Sequence, residues 1–447
     1  MTAERVSDLA GALVAEALRR GFEEAAALVW RSKSVMVKMF NSEISVVQRW
    51  SSLTVSLYLA KEGRIMVSTI HPSSIEKAGA IVERAVKVAS QLKPSMLYAP
   101  LPEPAKVEPL PGLADKGVID AMSEPEPLAE AMLSEADGLG VERAAGAITL
   151  SLSEKGLATS KGVKLEEEAT GVEAYLRAFI GEASGQWAVG SRRLRPEELR
   201  RVARTAAELA SQAKGEAKHV EPGTYDVVLS PMVVGNLMNL VGMMAGALAV
   251  MMGNSIFARV QPGSKVAAEK FTLVDDPRTP ELLGSTAFDD EGLPTASKPI
   301  IEGGVLRTLL HNSKTAAKMQ AKSTGNAGWI YPHAWTLSVK PGDATLDEMI
   351  REVKRGVVIT NNWYTRLQNY VEGIFSTIAR DAAFYVENGE IKHPVTRIRI
   401  ADRLPKLLSN IELLGKELYD ISWWEVSPAV RAPYILARQI NISRPFE

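Results

Sequence analysis

A long run without charge constrains this chain more than any other feature. From Val227 to Ala258 no Asp, Glu, Lys or Arg occurs, and Met232–Met252 is nearly all apolar. Such a segment has no face that water solvates well, so it belongs in a bilayer or under a folded shell. Its length alone would allow a membrane span. Against a span, Asn236 and Asn239 lie inside the run, no aromatic belt flanks it, and the strand-like Tyr225–Leu229 feeds directly into it. The expectation is one buried apolar helix and no membrane. Gly253-Asn254-Ser255 then reads as its C-cap and exit turn.

Covering a helix on all sides takes a large shell. The chain has 447 residues, 46% of them hydrophobic and 23% charged, enough for two or three domains with sizeable cores. Lys and Arg number 52 against 53 Asp and Glu, a formal net charge of -1. That balance supplies no basic excess to hold phosphate backbones, which argues against nucleic acid as a partner. Arg192, Arg193, Arg195, Arg200 and Arg201 read as a solvated helix start. Cysteine is absent, which removes disulfides, thiolate zinc sites and cysteine nucleophiles together. It fits a reducing compartment, and with no signal-peptide core behind Met1–Arg5 the expected location is cytoplasmic.

The apolar periodicity divides the chain into two parts. Residues 5–30 carry Leu9, Leu13, Ala17 and Leu18 at helical spacing. The period then falls to two through Val35, Val37 and Met39, and again through Leu53, Val55, Leu57 and Leu59. Turn signals stand at Asn41-Ser42 and Lys61-Glu62-Gly63. This predicts an antiparallel meander of about four strands, followed by a helix over 73–92 capped by Ser73 or Ser74. Eight prolines between Pro94 and Pro127 predict an extended connector over about 93–127. Pro127–Asp137 and Pro196–Lys214 are predicted helices, and Ala147–Ser153 and Val172–Phe179 predicted strands. The fold class is α+β. A helix–antiparallel meander–helix domain occupies 1–215, and a β-rich domain with one buried apolar helix occupies 216–447.

Catalytic motifs are scarce. The five histidines, His71, His219, His311, His333 and His393, show no metal-binding spacing. There is no nucleophile elbow and no phosphate-binding glycine loop. Asp289-Asp290-Glu291-Gly292 offers adjacent carboxylates that can bind a cation or steer an amine. A polar turn closed by Gly292 is the favoured reading, and Asp275-Asp276-Pro277 reads the same way. The late aromatics Trp329, Tyr331, Trp335, Trp363, Tyr364, Tyr370, Trp423 and Trp424 are assigned to core or interface rather than to a ligand cage.

A series of segments in the second half resembles the TldD/PmbA family, once described as modulators of DNA gyrase. They are Phe288-Asp289-Asp290-Glu291-Gly292, Ile300–Leu306, Ser323–Gly328, Gly373–Ser376, Phe384–Ile391 and Pro394-Val395, in this order. The resemblance implies a peptidase fold. Active TldD-type members carry H-E-x-x-x-H on the helix after the first strand of the C-terminal domain. The two histidines bind zinc, the glutamate activates the metal-bound water, and a cysteine completes the ligand set. The equivalent stretch here is Met238-Asn239-Leu240-Val241-Gly242-Met243, so Met238 and Met243 stand at the histidine positions and Asn239 at the glutamate. The resemblance is therefore to the zinc-less PmbA/TldE branch. It implies no cofactor in this chain, a zinc-bearing TldD-type partner in a heterodimeric peptidase, and small or unfolded peptide substrates. Two alternatives remain beside it. One is a self-contained hydrolase using His311, His333 or the Asp289–Glu291 cluster. The other is a peptide-binding homodimer without turnover.

Overall fold

In a computed structural model that describes residues 5–72, 79–89 and 91–444, the N-terminal helix is shorter than its periodicity suggests. Helix α1 (Val6–Arg19) buries Val6, Leu9, Leu13 and Ala17 and stops before Gly21, which lies at φ +86. The next residues form strand β1 (Glu24–Phe40), not the end of a helix. Ala25–Val29 is buried on both faces, so it shows no two-residue alternation. Ala25, Ala27 and Val29 meet α1, while Ala26 and Leu28 meet Phe288 and Trp329 from the second half of the chain.

The meander has three strands rather than four: β1, β2 (Glu43–Lys61) and β3 (Arg64–Ile70). Asn41 and Ser42 both adopt positive φ at the first turn, as do Glu62 and Gly63 at the second. Helix α2 (Gly79–Ala89) follows, and its expected cap at Ser73 or Ser74 lies outside the described residues. The connector is extended except at α3 (Lys116–Ala121), in the proline-free stretch after Pro111. Its cap is Asp115, whose side chain accepts from Gly117 N at 2.9 Å. After α4 (Glu126–Asp137) come β4 (Arg143–Thr159), β5 (Lys164–Ile180), β6 (Ala183–Ser191) and α5 (Pro196–Gln212). Strand β4 pairs antiparallel with β1, so the two sets of three strands fuse into one six-stranded sheet, β3-β2-β1-β4-β5-β6.

Beyond β7 (Lys218–His219), strand β8 (Gly223–Leu229) leads into the charge-free run. The run becomes the end of β8, helix α6 (Pro231–Met244) and the short α7 (Ala247–Met251). Ser230 caps α6, and Gly253 at φ +72 closes α7. Among the described residues no helix is long and apolar enough to cross a membrane. Two sheets enclose α6. The smaller contains β9 (Leu273–Asp275), β10 (Lys298–Glu302), β11 (Val305–Leu306) and β12 (Leu337–Val339), with β20 (Tyr419–Trp423) and β21 (Val426–Ala432). In the larger, which also holds β14–β19 between residues 362 and 414, β8 lies between β13 (Arg355–Ile359) and β22 (Ile435–Ser443).

One hydrophobic core crosses from the first half into the second. It includes Val35 and Met39 of β1, Trp187 of β6, Val202 of α5, Leu237 of α6 and Ile442 of β22. Trp187 sits edge-on to Tyr419 at 5.5 Å and stacked near Tyr434 at 6.3 Å. Arg177 of β5 pairs with Asp381, which is fully buried. These contacts set the inner end of the six-stranded sheet against α6, and between them lies a cavity.

Candidate active-site cavity

The cavity has a volume of about 990 Å³. One wall is the exposed side of α6 and α7, with Asn236, Asn239, Met243 and Leu248. The facing wall comes from the sheet, with Trp30 of β1, Ser153 and Lys155 of β4, and Glu167 of β5. Tyr331, His333, Trp335 and Tyr370 complete the rim. Residues three and four apart share a helix face, which is why Asn236, Asn239 and Met243 appear together. Met238 is off this face, only 1% exposed and packed in the core. Of the three positions singled out in the sequence, the structure brings Asn239 and Met243 to the cavity and turns Met238 away.

The two asparagines of α6 have different surroundings. Asn236 Nδ2 donates to the Glu425 carbonyl at 2.7 Å, and its Oδ1 accepts from Asn362 Nδ2 at 2.9 Å and Thr365 Oγ1 at 2.6 Å. Asn239 has no partner on either amide atom, although both are shielded from solvent.

The sheet wall carries two cations. Lys155 is buried, and its Nζ donates to the Phe288 carbonyl at 2.9 Å and Thr286 Oγ1 at 3.1 Å. Its charge lies 4.3 Å from the Phe288 ring centre, 5.0 Å from Trp335 and 3.8 Å from Glu167. Arg192 is not the solvated helix start that the arginine run suggested. Its Nη1 and Nη2 donate to the carbonyls of Thr170 and Ser285, at 2.9 and 2.7 Å. Its Nε is shielded and unpaired. Burial pushes the guanidinium down to about 10, opposed by the nearby Glu167.

The other sequence candidates divide. Of the five histidines only His333 lines the cavity, edge-on to Trp335 at 4.5 Å. His311 is buried elsewhere with Nδ1 3.3 Å from Thr315 Oγ1, and burial lowers its pKa. Asp289-Asp290-Glu291 does form a turn, closed by Gly292 at φ +83, but a buried one behind the cavity. Asp289 accepts from the backbone N–H groups of Glu291, Leu293 and Ala327. Burial, then the Glu291 carboxylate, push it up to about 8 against those donors. Asp290 is raised chiefly by burial, and its Oδ1 has no partner. Glu291 accepts from Lys314 Nζ at 2.7 Å, both side chains being almost wholly buried. Asp275 is likewise no solvated turn. It ends β9 and accepts from Asn326 Nδ2 at 2.6 Å and Lys298 Nζ at 3.0 Å.

Trp329 is structural, stacked on Tyr58 at 5.9 Å, but Tyr331, Trp335 and Tyr370 line the cavity. The assignment of the late aromatics to core or interface did not place those three in a cavity, and sequence reasoning singled out neither Trp30 nor Lys155 for one. Their sequence signal is weak, because the cavity is assembled across more than 200 residues of chain. Among the described residues no group of three or more His, Asp or Glu side chains is placed to hold a metal ion.

Three family models match the chain in consecutive stretches: PmbA/TldA metallopeptidase domain 1 at residues 15–89, the central domain at 112–214 and the C-terminal domain at 222–444. A metalloprotease of Methanothermobacter thermautotrophicus is 28% identical over 272 residues, covering 58% of this chain and 59% of that one. The matched stretch thus spans less than two thirds of that relative. A Thermotoga maritima structure, named as a candidate modulator of a DNA gyrase, has a TM-score of 0.82 at 26% identity, covering 98% of this chain and 99% of that one. TldE from Thermococcus kodakarensis has a TM-score of 0.85 at 22% identity, covering 97% of this chain and all of that one, a likeness of fold. With all three domain models matched in order from residue 15 to residue 444, the chain belongs to the PmbA/TldD family of metallopeptidase-like proteins.

Proposed function

We propose that this chain is a zinc-less, TldE-like subunit that works with a zinc-bearing TldD-type partner on small or unfolded peptides. The observation that carries the reading is the chemistry of the α6 face in the cavity wall. It presents two amides and a thioether, from Asn236, Asn239 and Met243. A neutral amide and a thioether are poor donors for a borderline-soft divalent zinc, and neither can act as a general base. These residues do not fit the metal, so no hydrolytic step is assigned to this chain. Its contribution is a chamber wall and a place for the peptide, for which a partner brings the reactive centre.

Metal content and peptidase activity test this, on the purified chain alone and after mixing with a zinc-bearing family member from the same source. The expected result is sub-stoichiometric zinc and no turnover alone, with activity in the mixture. Stoichiometric zinc with turnover by the single chain would overturn it, and would direct attention to His333 at the rim. Peptide binding without turnover in either sample would favour the peptide-binding homodimer instead.

A further inference from the structure

The cavity wall holds polar groups with nothing to bind. Asn239 Nδ2, Asn239 Oδ1 and Arg192 Nε are all shielded from solvent and lack hydrogen-bond partners, and both residues line this one cavity. Unpaired buried polar atoms are costly, and the rest of the chain offers them no compensation. Together they comprise two donors and one acceptor, which complements the carbonyls and N–H of a peptide backbone. The neighbouring Asn236 shows that an amide on this helix can be fully satisfied, so the vacancy at Asn239 is not a property of the helix.

The rim is apolar and adaptable. Met243 is 48% exposed, Met252 58% and Tyr331 64%, and all three line the cavity. Unbranched thioethers repack around side chains of different shapes. Apart from Arg192, three charged groups of the wall are already engaged within the protein. Glu425 is held by Asn236 and by Tyr364 N, Glu167 by Thr286 and Ala287 N, and Lys155 by Thr286 and Phe288.

We propose that Asn239 and Arg192 receive the backbone of an extended peptide and that the methionine-bearing rim takes its large apolar side chains. Both amide atoms are shielded, so the Asn239 side chain has to turn toward the cavity to meet the ligand, beside Met243 one turn beyond it on the same helix face. This rests on the subunit reading above and deepens it by naming the peptide class, unfolded segments rich in large apolar residues.

Equilibrium titration of the full chain, followed by tryptophan fluorescence, tests it with three short capped probes. One alternates Leu or Phe with Ser. A second carries Asp in place of Leu and Phe. A third keeps the apolar residues but replaces central amides by esters. The acidic probe should bind at least about tenfold more weakly than the first, and the ester probe several-fold more weakly. Asn239→Leu should weaken the amide probe about tenfold and remove the amide–ester difference. Its melting temperature should stay or rise, because two orphan polar atoms are gone. Asn239→Ala, which adds no bulk, should lose the same affinity. Equal binding of the acidic probe, or unchanged binding by both Asn239 variants, overturns the inference. So does a chain that binds no probe yet restores turnover in the mixture, which would leave the subunit reading standing. Binding as expected with no turnover in the mixture would sink the subunit reading alone.

Discussion

Lys314 and Glu291 show what a single position can decide. Their pair is almost wholly buried at 2.7 Å, and Glu291 also accepts from Ser313 N and Oγ. Lys314→Met should destabilise the fold by roughly 3–5 kcal/mol, because it strands a buried carboxylate rather than merely deleting an attraction. Glu291→Gln added to it should recover most of that loss, and guanidinium denaturation measures both. Asp290 gives a pH dependence. Its carboxyl is raised above the ordinary 3.8, first by burial. A raised acid stabilises the fold fully below its unfolded value, and that stability is lost as pH rises through the folded value. The advantage of Asp290→Asn over the natural residue should therefore grow as pH rises from 3.8. A constant difference across denaturation curves at several pH values would refute this. Of these carboxylates, the turn and its closing glycine were legible in the sequence. Their burial was not, since the cation for Glu291 comes 23 residues later and Tyr58, whose ring lies 4.3 Å from Lys314 Nζ, comes from the opposite half of the chain.

At the scale of elements, α6 and its neighbours were the most legible part. A helix without charge has to be covered, and the two sheets of the second half cover it. The connection to α7 is tighter than composition suggests. A Cβ added at Gly246 would stand 2.8 Å from the Pro332 carbonyl oxygen, whereas one at Gly242 would meet only the end of the Leu337 side chain at the same distance. Gly246→Ala should cost about 1–3 kcal/mol and displace the Pro332 wall of the cavity, while Gly242→Ala costs less. Thermal melting of the two variants separates them, and equal losses would contradict the packing described. The end of α1 was misjudged for a local reason. Ala25–Val29 is apolar on both faces because helices pack on one side and the loop around Phe288 on the other. A period read locally cannot distinguish that strand from the end of α1.

At the scale of the molecule, packing continues across the polar stretch near residue 215. Trp187 from the first part stands against Tyr419 and Tyr434 of the second, and Gly190 leaves room for Ser422. Residues 216–447 produced alone should therefore lose cooperative folding, seen as a broad thermal transition and dye-accessible apolar surface. A sharp, soluble transition would show that the second part is self-sufficient. The site inherits this arrangement. Each wall of the cavity was partly visible as a strand pattern or a helix, but their meeting was not, because no local rule pairs Arg192 with α6.

The sheet order around β8 also has a consequence in time. Its neighbour β22 is the last strand described, about 200 residues further along the chain. At a synthesis rate of about 5–20 residues per second, β8 and the helix behind it emerge roughly 10–40 s before the strand that closes over them. For that interval the most water-averse stretch of the protein lacks the last part of its cover. Its survival during translation depends on what else in its surroundings can hold an apolar segment until the C-terminal strand arrives.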